Sequence, residues 1–467
     1  MTMSVGAHAG VGAPTGNSRS IGCPPLDFAW AKRRWADPLT GVEVVCLSPP
    51  EKLHFRNPYF RIPMFTRDGK YCVLWAYPEP RPEDSAVWSI DLRTGATRVL
   101  SYGKEKRVGG LLSWATSYHS HLMHVIVRTP DGLAIERVDL DSGARRVIGL
   151  SPSLPFIYDA TTSAGDQYVY TPVSHKVVPE GVGASERVAL LGAEPGRNVM
   201  HRIDLTTGEV TALFETDRWW MGHPNPNPCD PQLLMCCQEG FNWTERYPRP
   251  ADFSRVRLYR LDRREWTRFP QLQAVGPAHE IWSANGRRIW THGWPSVYQC
   301  ISVTDATTAK TTTYIMRQGS GGSAHIHPAP DESFVVGDGT DFGKNNQAVI
   351  DELVRSKQVD DPWAWSGYGS DSPGEVIWKY ELPRESCYAP RPEGWSPQDF
   401  AEAVERHPDQ VARALPLCQF RSMARLLTKP MRNESNAHVT PDSRWAVFQS
   451  ASEDGLYEVW AARVPGV

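Results

Sequence analysis

The sequence predicts an all-β fold: a seven-bladed β-propeller closed by strands from both chain ends, with helical insertions on its loops. Three observations predict it. A hairpin phrase recurs as VWSIDLRTG up to Gly95, IERVDLDSG up to Gly143 and MHRIDLTTG up to Gly208, with weaker echoes around Asp262 and Asp305. A second strand type, a turn rich in Pro, Asp and Gly followed by an apolar run, separates the phrases. The first and last strands have no neighbour in sequence. Alternation at period two marks strands with one buried face, and Gly supplies the positive φ of a tight turn. A β unit returning every ~40–60 residues is the signature of a propeller, whose active site lies at the central channel.

Taken in order, residues 1 to about 24 are rich in Gly, Ala and Ser, and residues 1–36 are read as a flexible N-terminal segment preceding a propeller over 37–467. GVEVVCLS, from Gly41, is the opening strand. The second strand type then appears seven times: FTRDGKYCVLWA at 65, LMHVIVR at 122, DATTSAGDQYVYTP at 159, HPNPNPCDPQLLMCCQ at 223, IWSANGRRIWTHG at 281, HPAPDESFVVGDG at 327 and HVTPDSRWAVFQS at 438. LYEVWAARV, from Leu456, has no partner after it. Pairing it with the opening strand in one blade would hide both edges. Two insertions, about 341–375 and 391–430, break the pattern. Residues 345–358 carry apolar side chains at helical spacing. Residues 396–415 begin with Ser396 as N-cap and Pro397 at the first helical position, so a helix is predicted there too.

Composition narrows the function. The chain has 467 residues, 18 Trp, 37 Gly and 39 Pro, which suits a many-turned β protein; its net charge of −3 offers no electrostatic footprint for nucleic acid. The 9 Cys include no CxxC pair, and buried free thiols are expected. The N-terminus lacks a basic stretch followed by an apolar one, and no apolar run reaches the ~20 residues that cross a bilayer. No membrane partner is expected, and the cytoplasm is the predicted location.

Histidine placement is the second signal. His223, His279, His325, His327 and His438 all stand at the start of an inner-strand hairpin. If equivalent positions of successive blades point to one axis, residues far apart in sequence meet there. Neutral imidazoles ligate divalent metals, and the amide oxygens of Asn433 and Asn436 near His438 suit a harder ion.

The motifs WMGHP (220–224), AHEIW (278–282), AHIHPAPDESFVVGDG (324–339) and NAHVTPDSRWAVFQS (436–450), with DPLTGVEVVCLS (37–48) ahead of them, resemble those of oligogalacturonate lyases over nearly the whole chain. The resemblance implies a seven-bladed propeller that cleaves short pectic fragments by β-elimination with a Mn²⁺-type ion in its channel. It implies His279 as the catalytic base and Arg257 as the carboxylate partner, with Arg255 as the second choice. It implies His325, Asn433, Asn436 and His438 as metal ligands. Here Asn433 and Asn436 replace a Gln and a His, and the family's His-Glu-Gly is Gln238-Glu239-Gly240. The changed cage leaves Mn²⁺ as the expected ion and Ca²⁺ or Mg²⁺ as alternatives.

The chemistry fits those residue types. A cation or Arg beside a uronic carboxylate stabilises the charge that builds as the C5 proton leaves, and a neutral His can take that proton. The expected partner is a small acidic oligosaccharide, with His223, Trp294 and His327 as substrate contacts. Two rival readings share the scaffold: another carbohydrate-active enzyme acting on acidic or modified glycosides, and a propeller that only binds.

Overall fold

The computed structural model describes residues 23–37, 40–78, 85–102, 111–129, 132–149, 160–175, 196–217, 219–239, 254–269, 277–293, 299–316, 325–338, 375–391, 394–420, 435–452 and 455–467. The insertion predicted over 341–375 falls almost wholly outside them, as do Trp294 and Asn433.

Seven antiparallel sheets form, six of four strands and one of five. They are the seven blades. In blade seven the C-terminal strands His438–Val439, Trp445–Ala451 and Tyr457–Arg463 pair onward with Glu43–Cys46 from the N-terminus, through Val45 opposite Ala461. The ring is thus closed by both chain ends, and neither edge is left open there. Arg34–Ala36 adds a fifth strand outside Glu43–Cys46. Leu26 and Phe28 are buried, and Trp445 Nε1 donates to the Leu26 carbonyl at 2.8 Å. Ordered packing therefore begins ahead of residue 37, the boundary the composition suggested. Two apolar side chains in a Gly-poor stretch just after residue 24 are the reason.

The recurring phrase is the hairpin joining the third and outermost strands. In its copies Asp91, Asp139 and Asp204 accept from backbone N–H groups two or three residues on, and Gly95, Gly143 and Gly208 take φ of +73°, +75° and +76°. A Cβ at Gly208 would collide with the Gly149 carbonyl oxygen, so glycine is required there by contact as well as by φ.

The helix predicted over 396–415 is shorter, Pro397–Arg406. Ser396 and Asp399 form a reciprocal capping box. Past Pro408 the chain becomes the outer strand of blade six, Arg413–Phe420, because Arg413 through Pro416 and Cys418 through Phe420 pair with Glu375–Glu381. The helix buries Phe400 and Ala403 in the core shared with Met235, Phe269 and Cys300. It packs on the blades. All nine cysteines are unbridged, and Cys236 and Cys237 are buried.

One departure from regular blades matters for function. In blade one the inner strand His54–Arg56 pairs with Trp75–Tyr77, and pairing resumes only at Phe65 with Cys72. The intervening NPYFRIP, residues 57–63, leaves the sheet and enters the channel. Pro58 and Pro63 have no N–H to give a ladder, so they break the strand at both ends of the excursion.

Candidate active site

The same turn follows the inner strand in every blade, which gives a common register. Thr66, Ser117, Ser163, Ser283, Ala329 and Thr440 each donate their N–H to the carbonyl five residues on; in blade four Asn227 does so to Leu233, one residue further. Four residues before that position stand His223, His279, His325 and Asn436 in blades four to seven. Two residues before it stand Asn225, Ile281, His327 and His438. The five histidines that looked equivalent in sequence therefore occupy two tiers of the channel. His327 and His438 share the second tier, and Asn436 joins the other three in the first.

The first tier is compact. The His279 and His325 ring centroids lie 4.4 Å apart, and those of His223 and His279 lie 6.3 Å apart. His223, His279 and Asn436 all have positive φ, +47° to +48°, a conformation uncommon outside glycine. At His223 and His279 the ladder register shifts beside them. The strand is bent at these points, which turns the side chain out of the pleat. Tyr59 and Phe60 of the channel segment pack edge-to-face against the same rings, with centroids 5.3 Å apart for Tyr59 and His325 and 5.4 Å apart for Phe60 and His279. Arg61 anchors that segment by donating to the Pro224 carbonyl at 3.0 Å, and Asn57 donates to the carbonyl of Ser435 at 3.0 Å.

Each first-tier histidine is backed by a buried polar group. His279 Nδ1 lies 2.9 Å from Nε2 of His292, which is fully buried. His325 Nδ1 lies 3.0 Å from Asp338 Oδ2, and the same oxygen accepts the Asn436 N–H at 2.9 Å. His223 Nδ1 lies 2.8 Å from Glu280 Oε1, while Arg255 Nε lies 3.5 Å from Glu280 Oε2. Electrostatics follow from this packing. Burial, together with His325, His292, His223 and Arg255, drives the His279 pKa well below the ordinary histidine value, so the ring is neutral. Burial pushes Glu280 up, but Arg255 and His223 outweigh it and hold the carboxyl at about 2. Burial likewise acts against the Asp338 carboxylate, and His325 overrides it and lowers the pKa.

Arg255, the second choice from sequence, is the arginine seated with Glu280, the residue that follows His279. Arg257 lies with its guanidinium 6.0 Å from the ring centroids of Trp219 and of Trp266. Trp219 itself is buried in the blade core. Sequence reasoning passed over Glu280, His292, Asp338 and the segment 57–63. Asp338 lies directly across the hairpin from His325, and Glu280 directly follows His279.

The second tier differs. His438 Nε2 lies 3.1 Å from the Pro58 carbonyl oxygen, and the ring packs 5.1 Å from His327. The Val439 N–H donates to His327 Nδ1 at 3.3 Å. Both rings line a cavity of about 520 Å³, with Phe60, Met64, Ile281 and Trp282 among the other lining residues.

Two donor sets are candidates for a metal. A His whose Nδ1 is held by a carboxylate presents Nε2 in a fixed direction, the usual support of a metal-bound histidine, and His325 with Asp338 has that arrangement. Asn436 lies beside it and would offer an amide oxygen. His438, expected in the same cage, has its Nε2 on the Pro58 carbonyl. The second set is His223, Cys237 and Glu280, whose ligand atoms all lie within 4.8 Å of one another; it is the one such group of three among the described residues.

No protein-family model matches the sequence. Among curated proteins it is similar to the oligogalacturonate lyase of Dickeya dadantii, 26% identical over 272 residues that make up 54% of this chain and 61% of that protein. The oligogalacturonide lyase of Pectobacterium atrosepticum is 24% identical, covering 56% of this chain and 62% of its own. The chain thus spans about three fifths of the length of the curated relatives it matches. Among solved structures, oligogalacturonate lyase from Vibrio parahaemolyticus superposes with a TM-score of 0.66 at 16% identity, over 93% of this chain and 97% of that one. An oligogalacturonate lyase in complex with manganese gives 0.64 at 18% identity, over 95% and 97%. No helix among the described residues is long and apolar enough to cross a membrane.

Proposed function

We propose that this chain, which resembles oligogalacturonate lyases in sequence and fold, is a lyase acting by β-elimination on short uronic-acid-containing oligosaccharides. The product is a 4,5-unsaturated sugar. The observation that carries the reading is the meeting of His279 with His223, His325 and Asn436 at one level of the channel, with Arg255 and Glu280 behind them.

His279 is the base. Its ring is neutral because burial and cationic neighbours disfavour the charged form, so it is ready to accept the C5 proton. His292 fixes its orientation through Nδ1, leaving Nε2 as the accepting nitrogen. The electron pair of the broken C–H bond forms the C4–C5 double bond as the C4–O bond breaks, the departing oxygen takes up a proton to balance the one passed to His279, and no water is consumed. Arg255 is the carboxylate partner. Its planar fork suits a carboxylate, and Glu280 holds the stem in place. His223, the half-buried ring next to His279, is a substrate contact. A divalent cation, Mn²⁺ by analogy with the manganese complex, would be held by His325 and Asn436, and when bound it supplies charge stabilisation to the substrate carboxylate. Asp338 orients His325 for that role. Asn433 and His438 complete the proposed set, the latter only if it exchanges the Pro58 carbonyl for the ion.

The test is a time course with digalacturonate and trigalacturonate. A rise in the ultraviolet absorbance of an unsaturated uronate, one double bond per bond cleaved, supports the reading. Release of reducing sugar without that absorbance would replace it with hydrolysis.

A further inference from the structure

The cluster at the base of blade four carries more than the lyase reading uses. His223 and Cys237 sit on adjacent strands of that blade, Cys237 opposite Gly222, while Glu280 reaches in from blade five. A ring nitrogen of His223, the Cys237 Sγ and a carboxylate oxygen of Glu280 fall within 4.8 Å of one another. Glu280 divides its two oxygens: Oε1 faces His223 at 2.8 Å and Oε2 faces Arg255 at 3.5 Å. Arg255 therefore neutralises one side of the carboxylate, and a cation entering on the other side would displace the proton shared by Glu280 and His223. Glu280 is fully buried and Cys237 has no exposure, whereas the His223 side chain is 17% exposed. The cluster is open on one side only, through His223, toward the channel.

We propose that His223, Cys237 and Glu280 form a zinc site distinct from the His325 centre. One imidazole, one thiolate and one carboxylate are three ligands of a tetrahedral zinc, and a fourth position open to the channel is the pattern of a reactive rather than a purely structural zinc. The thiolate selects against Mn²⁺ and Mg²⁺, which prefer oxygen donors. Binding breaks the Cys237 S–H bond and displaces the proton shared by His223 and Glu280; both protons pass to solvent as the bonds to zinc form, and nothing is oxidised. The site rests on ligand geometry alone and stands whether or not the chain cleaves uronates.

The test uses the full chain stripped by a chelator and reloaded with Zn²⁺ alone or Co²⁺ alone. Wild type is expected to take up zinc at this site, and the cobalt form to show a thiolate-to-metal charge-transfer band in the near ultraviolet. Cys237→Ser should remove the band and lower zinc stoichiometry by one ion per chain. His325→Ala should leave the band in place. A wild-type cobalt spectrum without the band overturns the site and needs no variant to fold. A band that survives Cys237→Ser overturns it equally, since the thiolate then belongs to another cysteine.

Discussion

The two tiers of the channel are built from the same positions of successive blades, two residues apart, yet they are prepared for different work. In the first tier His279, His325 and His223 are each held through Nδ1 by a buried partner, His292, Asp338 or Glu280. In the second, His438 Nε2 is bound to the Pro58 carbonyl, while His327 Nδ1 meets main-chain groups, the Val439 N–H and the Pro328 carbonyl. A buried side-chain partner on Nδ1 fixes the ring and gives Nε2 a task. A carbonyl on Nε2 consumes the nitrogen that would otherwise meet a ligand. Tyr59 and Phe60 touch the first tier, and Phe60 also lines the cavity that His327 and His438 face. The difference teaches that histidine count per blade is a poor guide to chemistry, and that the group behind the ring decides.

Substitutions can break that contrast. The largest effect among the supporting groups is expected at Arg255. Arg255→Ala should lower kcat/KM by about 10²-fold or more, as for loss of a preorganised charge partner. Arg257→Ala, removing a guanidinium stacked near Trp219 and Trp266, should act on thermal stability and leave kcat/KM within severalfold. Steady-state kinetics with digalacturonate reads both, and the reverse ranking would restore Arg257 as the carboxylate partner.

A smaller effect is expected at Asp338. Asp338→Asn removes the carboxylate that orients His325 and should weaken divalent-metal affinity about 10- to 100-fold. His438→Gln should change affinity little if His438 keeps its Pro58 contact. Elemental analysis after dialysis against graded metal concentrations separates the two. Equal losses would place His438 in the cage.

The smallest effect is on acid stability. Burial lowers His124 to about 4, and burial with His327 lowers His438 to about 3. Both rings fold neutral, so their contribution is complete above the ordinary histidine value and is lost as pH falls from there toward the folded values. Urea midpoints should decline below about pH 6.5. His124→Gln should flatten part of that decline, and an unchanged slope would contradict the neutral buried ring.

Much of the architecture was legible because propeller blades repeat. Asp91–Gly95, Asp139–Gly143 and Asp204–Gly208 announce one hairpin three times, and the unpartnered strands near Val44 and Val459 announce the closure. The site was legible in its histidines and in Asn436, whose spacing from the Asp/Asn/Pro turn sets their height in the channel. What stayed hidden depends on cross-strand and cross-blade contacts. Asp338 is thirteen residues from His325 in sequence and becomes its neighbour only through hairpin register. Whether Arg255 or Arg257 meets Glu280 depends on which end of a strand twists toward the next blade. The excursion at 57–63 stayed hidden as well, because prolines mark where a strand stops, not where the released chain goes. The 396–415 helix stopped early for the same kind of reason, since the pairing offered by Glu375–Glu381 outweighed helical spacing after Pro408.

The most direct measurement is the initial rate of unsaturated-product formation by wild type, His279→Ala and His438→Ala side by side, each checked for a native circular-dichroism spectrum. Removal of a general base from the first tier should cost about 10²- to 10⁴-fold in kcat, and removal of the second-tier ring should cost far less. A His279→Ala protein that still eliminates at the wild-type rate would contradict the account.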